Sequence, residues 1–211
     1  MRYIDEIVWG PITPKWLGTY EFELHEIIYK IIAGAKLEAI IDIGAAEGYY
    51  AVGFAKSLSS STVYTYDLDF RARRQQRRLA ELNCVKNIII DSSCDSDALC
   101  KRIKAHSSLV ICDIEGFEVE LLDPLATPAL KCADILVEVH PGAGMSARCV
   151  GDLLRTRFCK THQIDTIESR RRDPESMSHL FRRELKIEEL LMAMDERRAQ
   201  VQTWLWMRHC Q

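Results

Sequence analysis

The sequence predicts one α/β domain built on a parallel β-sheet, and the prediction rests on the character and the spacing of its apolar runs. Each run is nearly continuous and rich in β-branched residues, which is typical of strands covered by helices on both faces. The stretches between them, about 20 residues long, suit crossover helices. The runs are AIIDIG (39–44), TVYTYD (62–67), NIIID (87–91), SLVICD (108–113) and DILVEVH (134–140).

Two further strands are expected after these five. A helix-like stretch (146–157) precedes HQIDTIES (162–169), and a helical run (186–199) precedes VQTWLWMR (201–208). The polar segment RRRDPESMSH lies between them. In the last strand Trp204 and Trp206 are two residues apart, so they should lie on one face and pack in the core.

Residues 1–37 precede the sheet, and we expect them to form a cap. They contain WGPITP and WLGTYE, followed by apolar residues at helical spacing, which predict an amphipathic helix. We therefore divide the chain into a cap segment and helix (1–37) and a main domain (38–211). The apolar residues of the predicted helix are Leu24, Ile27, Ile28 and Ile31.

Composition argues against nucleic-acid and membrane partners. The 211 residues include 28 basic and 31 acidic side chains, for a net charge of -3, so no global field attracts polyanions. The N-terminal residues MRYIDEIVWG lack the apolar core of a signal peptide, and no run is long enough to cross a bilayer. The eight cysteines form no C-x-x-C pair, which favours reduced thiols and a cytoplasmic location. The oligomeric state stays open.

The stretch IIDIGAAEGYY (40–50) predicts a ligand loop at the end of the first strand. Gly44, Ala45, Ala46 and Gly48 are small enough for the backbone to approach a nucleotide closely, at the start of a helix. The pattern is not the G-x-G-x-x-G of dinucleotide-binding proteins, which disfavours a pyrophosphate ligand. Plain strand-to-helix packing is the alternative.

Asp67 ends the second strand, where an open α/β sheet faces the crevice beside the first loop. A carboxylate at this point can accept hydrogen bonds from ribose hydroxyls, although an Asp after a strand can also serve as a helix cap. Taken with the glycine loop, Asp67 predicts a nucleoside ligand.

With IIDIGAAEG and Asp67, the chain resembles the class I S-adenosylmethionine-dependent methyltransferases. The resemblance implies a Rossmann-like, doubly wound, seven-stranded and mostly parallel sheet with the last strand inserted antiparallel. It implies S-adenosylmethionine as cofactor, with the methionine part at the glycine loop, the ribose at Asp67 and the adenine beside SSCD (92–95). The cofactor residues so implied are Asp42, Gly44, Ala45, Gly48, Asp67, Leu68, Ser93, Cys94 and Asp113.

The motif DIEGFE (113–118), with VEVH after the next strand and GTYE before the sheet, is similar to the FkbM branch of these enzymes. That resemblance implies methylation of a hydroxyl oxygen on a small molecule such as a sugar or a natural product. We expect the cap and the DIEGFE loop to meet this acceptor through Trp16, Tyr20, Glu21 and Glu115. We expect Glu118, in contrast, only to complement a helix dipole.

Asp113, Glu138 and His140 are the predicted catalytic residues, because they end two strands expected to be neighbours. Removing the acceptor's proton makes its oxygen a better nucleophile, and His140 is the expected base because its ordinary pKa is nearest neutrality. Glu138 could orient the imidazole, and Asp113 could bind the cofactor's amino group or a substrate hydroxyl. Two alternatives remain: a solvated strand end, or a site in which Asp113, Glu138 and His140, joined by Glu115, hold Mg²⁺.

Other function classes stay open at this level. A module that keeps the methyltransferase fold but only binds a partner would have the same patterns, and a nucleoside-binding oxidoreductase is a weaker rival because its glycine pattern is missing. The run RARRQQRR (71–78) carries five arginines. On a helix they should form a solvated face, with phosphate binding as the alternative.

Overall fold

The computed structural model describes residues 1–34, 36–174 and 186–210. A seven-stranded sheet in the order β3-β2-β1-β4-β5-β7-β6 forms its centre. β1 to β5 run parallel, and β7 pairs antiparallel with both β5 and β6. The strands are β1 (Ala39–Ile43), β2 (Thr62–Tyr66), β3 (Ile88–Asp91), β4 (Ser108–Cys112), β5 (Asp134–Glu138), β6 (His162–Glu168) and β7 (Thr203–His209).

The helices occupy the expected crossovers, and two short 3-10 helices (Phe22–Leu24 and Pro128–Cys132) supplement them. The α-helices are α1 (Thr13–Leu17), α2 (His25–Gly34), α3 (Tyr49–Ser57), α4 (Phe70–Leu82), α5 (Ser96–Arg102), α6 (Glu118–Leu121), α7 (Ala147–Phe158) and α8 (Ile187–Met194). The fold class is therefore confirmed, including the antiparallel insertion of the last strand.

Two apolar clusters cover the two faces of the sheet. One joins β1, β4 and β5 to α7, and the other packs α2 and α3 against the opposite face. Trp204 and Trp206 are both buried in the second cluster, as the sequence predicted. Leu24 lies in the same cluster, and Ile27, Ile28 and Ile31 of α2 pack against that cluster, so the N-terminal helix contributes to the central core.

One sequence prediction differs in extent from the structure, and another lies partly outside the described residues. The helical run expected over 186–199 ends at Met194, because Asp195 already has an extended backbone. Of the polar segment RRRDPESMSH, residues 175–179 lie outside the described residues. Within the described ranges, no helix is both long and apolar enough to cross a lipid bilayer.

Candidate functional site

The glycine loop is built by a backbone contact with the end of β4. Gly44 has φ +78°, and a Cβ atom placed there would lie 1.6 Å from the carbonyl oxygen of Asp113. The amides of Gly44 and Ala45 donate to the carbonyl oxygen of Tyr66, at 2.9 and 3.1 Å, which fixes the loop to β2. Only glycine combines this dihedral angle with the absence of a side chain, so position 44 holds three strand ends together.

Asp67 lies beside this loop, as predicted. Its Oδ2 accepts a hydrogen bond from the amide of Ala46 at 2.9 Å, and its Oδ1 accepts one from the amide of Asp69 at 2.8 Å. Burial raises the pKa of this carboxyl above its ordinary value. Each carboxylate oxygen has a second lone pair, so Asp67 can still accept bonds from a ligand.

Asp42 is a buried acid in the wall of a small cavity. Burial and the charge of Asp113 raise the pKa of Asp42 to about 8. Its Oδ2 has no hydrogen-bond partner in the part of the chain that the structure describes. An orphaned acceptor of this kind matches a ligand with an amino group, so Asp42 and the Gly44 cradle both fit the expected cofactor.

The cavity itself has a volume of only about 40 Å³. Ligand pockets usually measure about 300–1,000 Å³, so only a small part of a nucleoside could enter it. Side chains of the cap and of α3 narrow it, among them Lys15, Tyr20 and Tyr50. A larger cleft of about 300 Å³ lies between residues 6–8 and α4, but none of its lining residues belongs to the predicted site.

The polar contacts that close the cap over this cavity could not be predicted from the sequence. Lys15 forms a buried ion pair with Glu47, and the hydroxyl of Tyr3 donates to the same carboxylate at 2.6 Å. Lys15 also lies over the ring of Tyr20, 4.7 Å from its centroid. Lys15 and Glu47 are 32 positions apart, and no local pattern distinguishes them from surface charges.

The predicted substrate residues of the cap divide into two groups. Glu21 is buried, receives a hydrogen bond from Tyr50, and binds Arg198 at 2.7 Å. Tyr20 lines the cavity. Trp16 is 54% exposed and donates its indole N–H to the carbonyl oxygen of Ile4 at 2.9 Å, so it lies outside the cavity lining.

The residues implied for the adenine lie along the surface at the ends of β2 and β3. Leu68 is 83% exposed, Ser93 is exposed and Cys94 is half-buried. Burial raises the pKa of the Cys94 thiol to about 12, so this side chain stays protonated. These residues could form an open shelf for a base beside Asp67.

Beside the cavity, the loops after β4 and β5 touch backbone to backbone. A Cβ on Gly142 would lie 1.9 Å from the carbonyl oxygen of Gly116, and a Cβ on Gly116 would lie 2.6 Å from the carbonyl oxygen of Pro141. This contact brings DIEGFE against the residues that follow VEVH. Glu115 and His140, each next to one of the contacting residues, consequently face each other.

His140 is the centre of the acidic cluster. Its Nδ1 lies 2.8 Å from Oε1 of Glu118, which is completely buried. Its Nε2 faces Asp113 Oδ1 at 3.7 Å, Glu115 Oε2 at 3.5 Å and Glu138 Oε1 at 3.8 Å. The predicted trio of Asp113, Glu138 and His140 is therefore close together. Glu118 is more than a dipole partner, because it also holds the imidazole.

Burial and the charges within this cluster shift the pKa values of its members strongly. Burial alone would lower the pKa of His140, but the hydrogen bond to Glu118 and the charges of Asp113 and Glu138 raise that pKa to about 9. Burial, together with neighbouring carboxylates, raises the pKa values of Asp113 and Glu138. The imidazole therefore keeps its proton at neutral pH, which makes it a poor base.

Arg198 connects the cluster to the cap. It contacts Glu21 and Glu196, and its Nη1 lies 3.9 Å from Oε1 of Glu138. Nearby, Arg172 pairs with Glu23 and Glu196. Residues on both sides of the site thus share one buried ion-pair network, which ties the position of the cap to the carboxylate of Glu138 at the end of β5.

Comparisons with known proteins identify the fold. No protein-family model and no curated protein sequence matches the chain. Solved structures do match it. The O-methyltransferase TomG of Streptomyces achromogenes, solved with S-adenosylmethionine, is 14% identical with a TM-score of 0.57, over 97% of this chain and 85% of TomG.

Two other matching structures are of proteins whose names indicate macromolecular substrates. The ribosomal protein L11 methylase of Lactobacillus delbrueckii is 13% identical, with a TM-score of 0.56 over 99% of this chain and 85% of its own. An rRNA methylase of Streptococcus thermophilus is 9% identical, with a TM-score of 0.56 over 88% of this chain and 95% of its own. The chain is similar to all three in fold over most of its length, and its fold is that of the S-adenosylmethionine-dependent methyltransferases.

Proposed function

We propose that this protein is an S-adenosylmethionine-dependent methyltransferase that methylates a hydroxyl group of a small molecule. The observation that carries the proposal is the contact between Gly44 and Asp113, because it joins two sites. The loop and Asp67 offer a nucleoside site on one side. The carboxylates and imidazole at the ends of β4 and β5 offer acceptor chemistry on the other.

The cofactor would lie across the carboxyl edge of the first strands. Asp42 has a free buried oxygen for the amino group, and the backbone from Gly44 to Gly48 would follow the methionine part. Asp67 would accept the ribose hydroxyls, and the shelf of Leu68, Ser93 and Cys94 would border the adenine. When bound, this cofactor supplies a methyl group on a positively charged sulfonium.

Binding requires the cap to widen the cavity beside Asp42 and Gly44, since 40 Å³ is too small for the methionine part of the cofactor. The side chains to be displaced are those of Tyr20 and Tyr50, with Lys15 above them. Closure afterwards would exclude water from the reacting groups, which strengthens the electrostatic interactions among them. The substrate role proposed for Tyr20 and Glu21 follows from their place at this closing surface.

The acceptor hydroxyl would lie beside Asp113, Glu138 and His140. The carboxylate of Asp113 or Glu138 would receive its proton as the methyl group's bond to sulfur breaks and its bond to oxygen forms. The surplus of carboxylates favours a positively charged sulfonium and disfavours phosphate. Glu115, whose side chain is 84% exposed, extends the negative charge outward. A neutral, hydroxylated small molecule of the kind implied by DIEGFE and VEVH fits this environment better than a nucleic acid does.

The arginines of α4 give little support to a nucleic-acid acceptor. Arg71 pairs with Asp69, Arg78 pairs with Asp5 and Glu6, and Arg73 donates to the carbonyl oxygen of Asp67. Much of the positive charge of the helix is therefore already compensated by neighbouring acids or used in local backbone contacts.

Calorimetric titration with S-adenosylmethionine and S-adenosylhomocysteine tests the proposal. Asp67→Ala should weaken binding by at least about tenfold, because ribose hydroxyls lose a charged acceptor. The control is Asp97→Asn, which also removes one negative charge but at an exposed position on α5, and this variant should bind the cofactor normally. A folded Asp67→Ala variant that binds with unchanged affinity would refute the ribose assignment.

Turnover separates the proposal from its main rival, a non-catalytic module with the same fold. Methyl transfer from labelled cofactor should be measured with hydroxylated acceptors, beginning with sugars and phenols. Transfer to oxygen that is lost in Asp113→Asn supports the enzyme. Cofactor binding without transfer to any acceptor of this class would favour the binding module.

A further inference from the structure

Three potential ligand atoms converge at the ends of β4 and β5. One atom each from Asp113, Glu115 and His140 lies within 4.8 Å of the other two. Nε2 of His140 is 3.7 Å from Asp113 Oδ1 and 3.5 Å from Glu115 Oε2. Neighbouring ligands of one divalent ion at a bond length of about 2.1–2.4 Å lie about 3.0–3.4 Å apart, and opposite ones about 4.2–4.8 Å. The observed spacing is close to that of a coordination shell.

The second ring nitrogen of His140 is held as metal-binding histidines are held. Nδ1 lies 2.8 Å from Oε1 of Glu118, an oxygen that also accepts a bond from the amide of Gly116 at 3.2 Å. Since this carboxylate is buried and accepts the Nδ1 proton, the lone pair of a neutral imidazole falls on Nε2. A carboxylate behind the histidine is the usual support of a histidine ligand.

A buried carboxylate outside these three residues also points into the cluster. Glu138 is 3% exposed, and its Oε1 has no hydrogen-bond partner among the described residues. Its nearest charged neighbours are His140 Nε2 at 3.8 Å and Arg198 Nη1 at 3.9 Å, both beyond hydrogen-bond distance. Asp113 Oδ1 is likewise buried without a partner in the described ranges. Buried acceptors without donors call for a bound group that accepts their electron pairs.

We propose that Asp113, Glu115 and His140 bind one divalent metal ion, with Glu138 facing it. The mixture of two carboxylates and one imidazole favours Mn²⁺ or Zn²⁺ over Mg²⁺, which prefers oxygen ligands alone. Of the four residues that the sequence suggested for a cation, Glu138 is the one that is not a direct ligand in this site. The cation site shares Asp113 with the expected cofactor site, but ion binding does not require the proposed reaction.

A bound ion would also change which residue receives the acceptor's proton in the proposed methyl transfer. Nε2 cannot both bind an ion and accept a proton, so with the ion present the acceptor's proton falls to Glu138. An acceptor hydroxyl coordinated at the ion would lose its proton more easily, as metal-bound water does. His140 is then a ligand, and Glu118 is its positioning residue.

Mn²⁺ titration of the chelator-treated, cofactor-free protein tests this site. Binding is measured as the loss of the electron paramagnetic resonance signal of the free ion. We expect one ion per chain. Because Glu115 is exposed, the Glu115→Gln variant should fold normally, yet its affinity for Mn²⁺ should fall at least about tenfold. Glu118→Gln should weaken it about 10–100-fold by loosening the imidazole. Glu120→Gln, an exposed neighbour on α6, is the matched control and should bind as the unaltered protein does.

Absence of stoichiometric Mn²⁺ binding, or equal affinity in Glu115→Gln and Glu120→Gln, would overturn the proposal. Competition with Zn²⁺ and Mg²⁺ ranks the ions, and tighter binding of Mg²⁺ than of Mn²⁺ would contradict the role of the imidazole. Because the titration uses no cofactor, a protein that fails to bind S-adenosylmethionine can still confirm the metal site, and the reverse also holds.

Discussion

Gly44 and Asp113 meet where β1 and β4 end, with the α-carbon of the glycine facing the carbonyl oxygen of the aspartate. The space between them cannot hold even one methyl group, since a Cβ would lie 1.6 Å from that oxygen. Gly44 belongs to the expected cofactor loop and Asp113 to the acidic cluster. The distance between the two parts of the site is therefore set by a backbone contact.

Gly44→Ala should displace β4 or the loop and destabilise the protein by about 4 kcal/mol or more. Gly18→Ala is the matched control, because Gly18 has φ +70° and no atom within 4 Å of an added Cβ. It should cost only about 1–2 kcal/mol for the left-handed backbone. Urea unfolding measures the free energy of unfolding of both variants. Equal losses of stability would show that the close contact at Gly44 does not contribute to the effect.

Lys15→Met should destabilise the protein by about 3–5 kcal/mol, because it leaves the carboxylate of Glu47 buried without its cation. The pair is almost fully buried, with side-chain exposures of 4% and 0%. Lys30→Met removes the exposed pair with Glu26 (72% and 79%) and should change stability by less than about 1 kcal/mol. Similar unfolding midpoints for both variants would contradict a large contribution of the Lys15–Glu47 ion pair to stability.

Asp42 should make stability fall as pH rises. Its pKa is about 8 in the folded protein against 3.8 ordinarily, so the folded state keeps a proton that the unfolded chain loses first. This stabilisation is complete below about pH 4 and is lost as pH rises to about 8, at a slope approaching 1.4 kcal/mol per pH unit. Relative to Asp42→Asn, the unaltered protein should therefore lose stability across that range. Denaturant unfolding at each pH measures the free energy of unfolding of both proteins. If the two free energies change with pH in parallel, Asp42 does not titrate in this way.

Gly142→Ala should separate the two loops that carry the acidic cluster, since its Cβ would lie 1.9 Å from the carbonyl oxygen of Gly116. Glu115 would then move away from His140, and Mn²⁺ affinity should fall at least about tenfold. Gly53→Ala, where nothing lies within 4 Å of an added Cβ, should leave the affinity unchanged. Unaltered ion binding in a folded Gly142→Ala variant would show that the loop contact does not position the ligands.

Local patterns were sufficient for much of the fold. Nearly continuous apolar runs predicted β1 to β5, and burial on both faces of the sheet explains why those runs do not alternate. The position of Asp67 beside the Gly44 loop could be predicted because both directly follow the ends of neighbouring strands. The insertion of β7 between β5 and β6 followed from resemblance to a family, since apolar periodicity carries no information about strand order.

The sequence by itself determined which segments are strands and helices, which faces are buried, and that acids gather at one edge of the sheet. Only the tertiary structure decided which polar groups pair. Glu118 read as an ordinary helix-start acid, but it supports His140 from 22 positions away, and Lys15 reaches Glu47 across 32. Periodicity reports whether a position is buried. A polar contact depends instead on where two distant backbones meet, as Gly116 and Gly142 do, and the chain must fold before that meeting point exists.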